Sequence, residues 1–222
     1  MRDLTSLPKA HLHLHFTGSM APATVREMAA AHGIRLPGSL TDDIGNRYDT
    51  GDARGWFRFQ RTYDAARACV RGEADMRRIV REAALADGAE GSRWLELQVD
   101  PTSYAPFVGG ITPALEIVLD EAAAASRLPG AAQVGIMVAA SRMRHPLEAR
   151  TLARLAARHA GEGPGTVVAF GLSNDERRGI TEDFAPAFTI ARRAGLALAP
   201  HAGVLLGPTA VEETLAAIAP DR

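Results

Sequence analysis

Lysine is nearly missing from this chain: Lys9 is the only one among 25 basic residues. That is a codon-composition habit rather than a functional signal. Cysteine is as scarce, because Cys69 stands alone. A single thiol cannot close an internal disulfide, and it excludes zinc sites of the CxxC type. Neither sign of charge is in excess. With 26 acidic residues the formal net charge is −1 at pH 7, which argues against a nucleic-acid-binding protein. No apolar run approaches the length needed to cross a bilayer. The opening MRDLTSLPKAHLHLH lacks the apolar core of a signal peptide, so the expected location is cytoplasmic. Also absent are a GxGxxG opening a helix after the first strand, a GxxxxGK[ST] loop and a GxSxG elbow, together with the H-x-E…P-C-x-x-C pattern of one class of zinc deaminase.

What is present fits one globular domain over residues 1–222, large enough for a sizeable core. Residues 10–16 (AHLHLHF) alternate polar and apolar side chains, the period of a strand. Pro22–His32 reads as a helix with Gly33 just past its end, and residues 34–55 read as a loop excursion rich in turn residues. Helices are expected over 56–70 and 74–86. Strands then alternate with helices: strands at 94–99, 134–140, 166–172 and 196–199, helices at 112–126, 147–160, 183–194 and 209–218. This alternation predicts an α/β fold with a parallel sheet and five strand-helix units.

The strongest local feature is His11-x-His13-x-His15. Regular strand alternation would project all three imidazoles from one face, with Leu12, Leu14 and Phe16 on the other. Neutral imidazoles at i and i+2 can share one divalent cation, and nitrogen ligands suit zinc. The competing reading is a polar rim or hydrogen-bonded core histidines. Functional groups of β/α barrels sit at the C-terminal strand ends, which favours His13 and His15 over His11. His201, ending the fifth strand and followed by Ala202-Gly203, would add a third nitrogen and leave an open coordination position, as catalytic zinc requires. After the fourth strand, Ser173-Asn174-Asp175-Glu176 could serve a ligand or simply cap the next segment. For Asp100-Pro101 a turn is sufficient explanation.

The run from Leu7 to Ser19 (LPKAHLHLHFTGS) resembles the opening of the adenosine deaminase family of the amidohydrolase superfamily. The resemblance continues through Trp56-Phe57-Arg58-Phe59, residues 95–104, residues 167–176 and His201-Ala202-Gly203 with Gly207-Pro208. It implies a (β/α)8 TIM-barrel fold with one Zn2+ held by His13, His15 and His201. It also implies hydrolytic deamination of adenosine to inosine and ammonia, with a small purine nucleoside as the partner and His15, Thr17 and Asn174 on the substrate side. Thr17 stands where the family usually has a carboxylate that meets the ribose, and Asn174 where it often has a glycine.

Two departures temper this. Val204 occupies the general-acid position, usually glutamate, and loss of a general acid typically removes a factor of 10²–10⁴. Residues matching the family's sixth to eighth strands do not follow, so an incomplete barrel of about five βα units is expected, with open sheet edges available for self-association. The expected chain is therefore a deaminase-type hydrolase of impaired activity. Two alternatives remain open: a non-catalytic metal- or purine-binding protein, and a deaminase of a larger adenine-bearing metabolite such as aminodeoxyfutalosine.

Overall fold

The computed structural model describes residues 7–41 and 53–222. Five strands, β1 (Lys9–His15), β2 (Ser92–Val99), β3 (Gln133–Ser141), β4 (Val167–Ser173) and β5 (Ala197–Pro200), form one parallel sheet in the order β1-β2-β3-β4-β5. They make half of a barrel wall, as the strand-helix rhythm predicts. Parallel neighbours need crossover connections, and helices supply them. Between β1 and β2 lie α1 (Pro22–Ala31), α2 (Gly38–Thr41), α3 (Ala53–Arg67) and α4 (Glu73–Ala89). Then come α5 (Ala105–Val108) and α6 (Ile111–Ala125) before β3, α7 (Pro146–Arg158) before β4, α8 (Thr181–Arg193) before β5, and α9 (Pro208–Ile218) after it. Part of the expected loop at 34–55 is therefore a helical turn at 38–41, and its residues 42–52 lie outside the described residues. Among the described residues no helix is long and apolar enough to cross a membrane.

The helices form because their apolar residues recur at helical spacing. In α7, Ala149, Leu152, Ala153 and Ala156 are buried at i, i+3, i+4 and i+7, while arginines fill the other face. Truncating Leu152 to alanine would cost about 2–5 kcal/mol. On the helix side of the sheet sit Leu95, Leu97 and Val99 of β2, all buried, and Phe170 of β4 meets Phe188 of α8 edge to face at 5.2 Å.

The other side of the sheet faces the barrel interior, and register explains its character. His15 pairs with Gln98, Gln98 with Met137, Met137 with Ala169 and Ala169 with Ala197. Small residues are needed on this concave side. A Cβ on Gly171 would come within 3.1 Å of Gln98 Oε1 and 3.2 Å of Met137 Sδ. The interior is thus packed low down by Met137, Ala169 and Ala199, with polar groups gathered above at the C-terminal strand ends.

Candidate metal centre and its cavity

Strand β1 does not alternate regularly. His11 pairs with Leu95 and Leu14 with Leu97, so three steps along β1 oppose two along β2. One extra residue is accommodated as a bulge, and His13 takes a left-handed φ of 67°. The bulge resets the parity of the strand. The expectation that all three imidazoles share one face is therefore corrected. His11 falls in register with the helix-facing Leu95, and its Nδ1 lies 3.0 and 3.1 Å from the two carboxylate oxygens of Asp87 on α4. His13 and His15 point instead to the barrel interior, where their rings stack with centroids 5.6 Å apart.

There they meet His201, delivered by the end of β5. The His201 ring lies edge-on to His13 at 4.4 Å and to His15 at 5.0 Å. The Nε2 atoms of His15 and His201 are 3.1 Å apart. Among the described residues His13, His15 and His201 form the one cluster whose donor atoms lie close enough to hold a metal ion. The donor chemistry fits zinc. Two nitrogens bound tetrahedrally at about 2.0–2.1 Å from Zn2+ stand about 3.3 Å apart, close to the spacing seen. His201 Nδ1–H donates to the Leu172 carbonyl at 3.1 Å, which leaves its Nε2 lone pair free to face the cluster. Gln98 sets the other two rings: its Oε1 lies 2.7 Å from His13 Nε2, and its Nε2 lies 3.2 Å from His15 Nε2.

Electrostatics keep these imidazoles neutral, as ligands must be. Burial, then the neighbouring His201 and His13, lower His15 to about 4. Burial, then His13, lower His201 to about 4 against the pull of the Leu172 carbonyl. His13 is also lowered by burial, with Gln98 and Glu96 opposing.

A cavity of about 370 Å³ opens from the histidines. Its aromatic wall comes from α3 (Trp56, Phe59, Tyr63) and from Tyr104, and β4 adds Ser173 and Asn174. The α3 aromatics form a chain, Trp56 to Phe59 at 5.7 Å and Phe59 to Tyr63 at 6.1 Å. Asn174 has a φ of 82°, a conformation suited to glycine or asparagine, and its side-chain oxygen accepts from the Asp175 amide. Thr17 is buried, and its hydroxyl shares a 2.8 Å hydrogen bond with the Tyr104 hydroxyl. Val204 lines the cavity and is half exposed.

The acidic residues after β4 divide their roles. Asp175 binds Arg177 at 2.8 Å and accepts from the Arg177 amide. Glu176 reaches across to the loop after β5, where its carboxylate accepts from the backbone amides of Gly203, Leu205 and Leu206. It is thus the anchor of the segment that carries Val204, a role no motif in the sequence announced. Arg142, buried beside it, donates to the His201 carbonyl at 2.9 Å and so ties the β3–α7 turn to the same loop. Asp100 does cap a turn, accepting from the Thr102 amide at 3.0 Å and its hydroxyl at 2.6 Å, but it also lines the cavity. Glu212 and Glu213 are exposed on α9 and do not line this cavity.

Comparison with known proteins places the chain as a whole. The adenosine deaminase family model matches residues 8–222. A Streptomyces virginiae protein named "Putative adenosine/adenine deaminase" is 59% identical over 214 residues, covering 96% of this chain and 62% of that protein. The structure of an adenine deaminase from Arthrobacter aurescens superposes with a TM-score of 0.78 at 25% identity, over 97% of this chain and 63% of that one. A Burkholderia ambifaria amidohydrolase with bound zinc superposes with a TM-score of 0.80 at 23% identity, over 98% and 58%. The chain spans less than two thirds of the length of these proteins.

Proposed function

Because the chain belongs to the adenosine deaminase family, whose members are hydrolases of C–N bonds, we propose that it binds one zinc ion through His13, His15 and His201 and uses it on a purine bearing a 6-amino group. Adenosine is the substrate the sequence suggests. The observation that carries the reading is the convergence of three imidazoles from opposite ends of the chain beside an aromatic cavity that two of them, His15 and His201, line.

Zinc, when bound, supplies Lewis acidity and activates water toward an electron-poor ring carbon. The chain's own residues do the rest. Leu172 and Gln98 orient the ligand rings, the α3 aromatics offer a stacking face for a flat heterocycle, and Glu176 holds the loop that closes the site. At position 204 valine offers no proton, so turnover is slow and purine binding exceeds catalysis. This favours, for the residues present, the binding reading over a fast enzyme. Strand β1 ends the sheet with Leu12 exposed, and self-association through that edge accompanies the proposal.

The test is titration of the metal-free chain with Zn2+, followed by adenine and adenosine, with ammonia release measured on the loaded protein. One zinc per chain, purine binding that depends on it and slow ammonia release are expected. A chain that takes up no zinc, or binds no purine when loaded, overturns the reading.

A further inference from the structure

His201 follows the last residue of β5, and its two sides are held unequally. On the amide side, its backbone N–H donates to the Leu172 carbonyl at 2.8 Å, and its ring Nδ1–H reaches the same oxygen at 3.1 Å. On the carbonyl side the ladder has stopped. Among the described residues no backbone amide donates to the His201 carbonyl, and the chain runs on into Gly203, whose φ is a left-handed 79°. A residue fixed on one side alone can tilt, whereas a metal asks its donors to stand within about 0.2 Å of their places.

One side chain supplies the missing hold. Arg142, just after β3, donates from Nη2 to the His201 carbonyl at 2.9 Å and from Nη1 to Thr181 Oγ1, at the start of α8, at 2.8 Å. Its backbone amide donates to the Ser173 carbonyl at 3.0 Å. A single residue therefore joins the C-terminal ends of β3, β4 and β5. This arrangement opposes folding in one respect. Arg142 is only 3% exposed, its Nε has no partner, and among the described residues no carboxylate forms an ion pair with it. The nearby Glu176 spends both its oxygens on backbone amides of the following loop. A guanidinium buried with so few partners is costly, and a charged donor makes a stronger bond to a carbonyl than a neutral one does. The bond that gains from the charge is the one that holds His201.

Resting on the zinc reading above, we propose that Arg142 is a positioning residue for the metal centre: by pinning the His201 carbonyl it sets where His201 Nε2 stands relative to His13 and His15, and so sets zinc affinity. The effect runs through the backbone of His201, because Arg142 belongs neither to the histidine cluster nor to the lining of the aromatic cavity.

The experiment titrates the metal-free full chain and three variants with Zn2+ against a chromophoric chelator, and records the visible absorption of the Co2+-loaded forms. Arg142→Met removes both donors at similar length and is expected to weaken zinc binding about 10–100-fold. Arg142→Lys offers one ammonium to two acceptors in place of a planar fork, and its loss should be smaller but at least about threefold. Thr181→Val removes the other arm of the same guanidinium without touching His201. It is expected to lower the urea midpoint while keeping zinc affinity within about twofold. The Co2+ absorption, which reports ligand geometry, should change in both Arg142 variants and stay as it is in Thr181→Val. A merely structural role would lower the midpoint in all three variants and separate none of them by zinc affinity. Arg142→Lys and Thr181→Val keep the test decisive should Arg142→Met fail to fold. Zinc affinity within about twofold of the unaltered chain in either folded Arg142 variant, or an equal loss in Thr181→Val, overturns the inference while leaving the zinc reading intact. An unaltered chain that takes up no zinc overturns both.

Discussion

The Nε2 atoms of His15 and His201 stand 3.1 Å apart although 186 residues separate them in the chain. Two ring nitrogens at that spacing need either a proton or a cation between them. Burial lowers both groups to about 4, so both rings are neutral at pH 7, and the gap is bridged either by the one ring proton of His15 or by a metal cation that takes both lone pairs.

Metal binding should therefore follow the bulge, not the motif. His201→Ala and His13→Ala are each expected to weaken Zn2+ binding by more than about a hundredfold, read by competition with a chromophoric chelator. His11→Ala should leave zinc affinity within about threefold, because His11 is paired with Asp87 behind the sheet. Its half-exposed ion pair makes the stability loss at most about 1 kcal/mol. Equal zinc loss in His11→Ala and His201→Ala would contradict the placement of His11.

The metal-free chain should lose stability in mild acid. His15 and His201 have folded values near 4, below the 6.5 of a free imidazole. Between those values the unfolded chain binds more protons than the folded one, so stability rises with pH across this window and is fully present above about 6.5. Denaturant midpoints in EDTA should fall from pH 7 to pH 4, and less steeply in His15→Ala. A midpoint flat over that range would show that the imidazoles are not held neutral.

Glu176 is expected to matter more for the loop after β5 than any other side chain outside it. Its carboxylate accepts from three backbone amides there. Glu176→Ala orphans those donors and should cost about 2–4 kcal/mol in urea unfolding, with increased proteolytic cleavage at 203–206. An unchanged unfolding midpoint would mean that solvent satisfies the amides equally well.

A carboxyl restored at position 204 should be felt by the ligand. Val204 lines the cavity and is half exposed, so Val204→Glu incurs no burial penalty. The new group gives a ring nitrogen a hydrogen-bond partner, and adenine should bind the zinc-loaded variant about tenfold more tightly, with ammonia release rising alongside. Unaltered affinity and rate would remove position 204 from the site.

Much of the fold was legible because periodicity is a local property. The continuous apolar run Val134–Ala140 and the helical stripe of residues 147–160 marked their elements to within two residues, since a strand covered on both faces and a helix buried on one impose those patterns. His201 was legible through its place at a strand end. Asp100 was half legible: the turn it caps is visible in Asp100-Pro101, whereas the cavity on its other side is made by α3 and Tyr104, distant in sequence. Glu176 stood out in the sequence with its neighbours after the fourth strand, but its anchoring role gave no signal, because its partners are backbone amides 27 to 30 residues away, and any residue type could have supplied those.

The amino-acid order alone determined the five strand-helix units and the three imidazoles that meet, because hydrophobic period and strand-end position are written residue by residue. Tertiary structure alone decided that His11 turns away from them. A bulge is a property of two strands in register, set by how β1 lies against β2, and one inserted residue reverses which face every earlier side chain of the strand occupies.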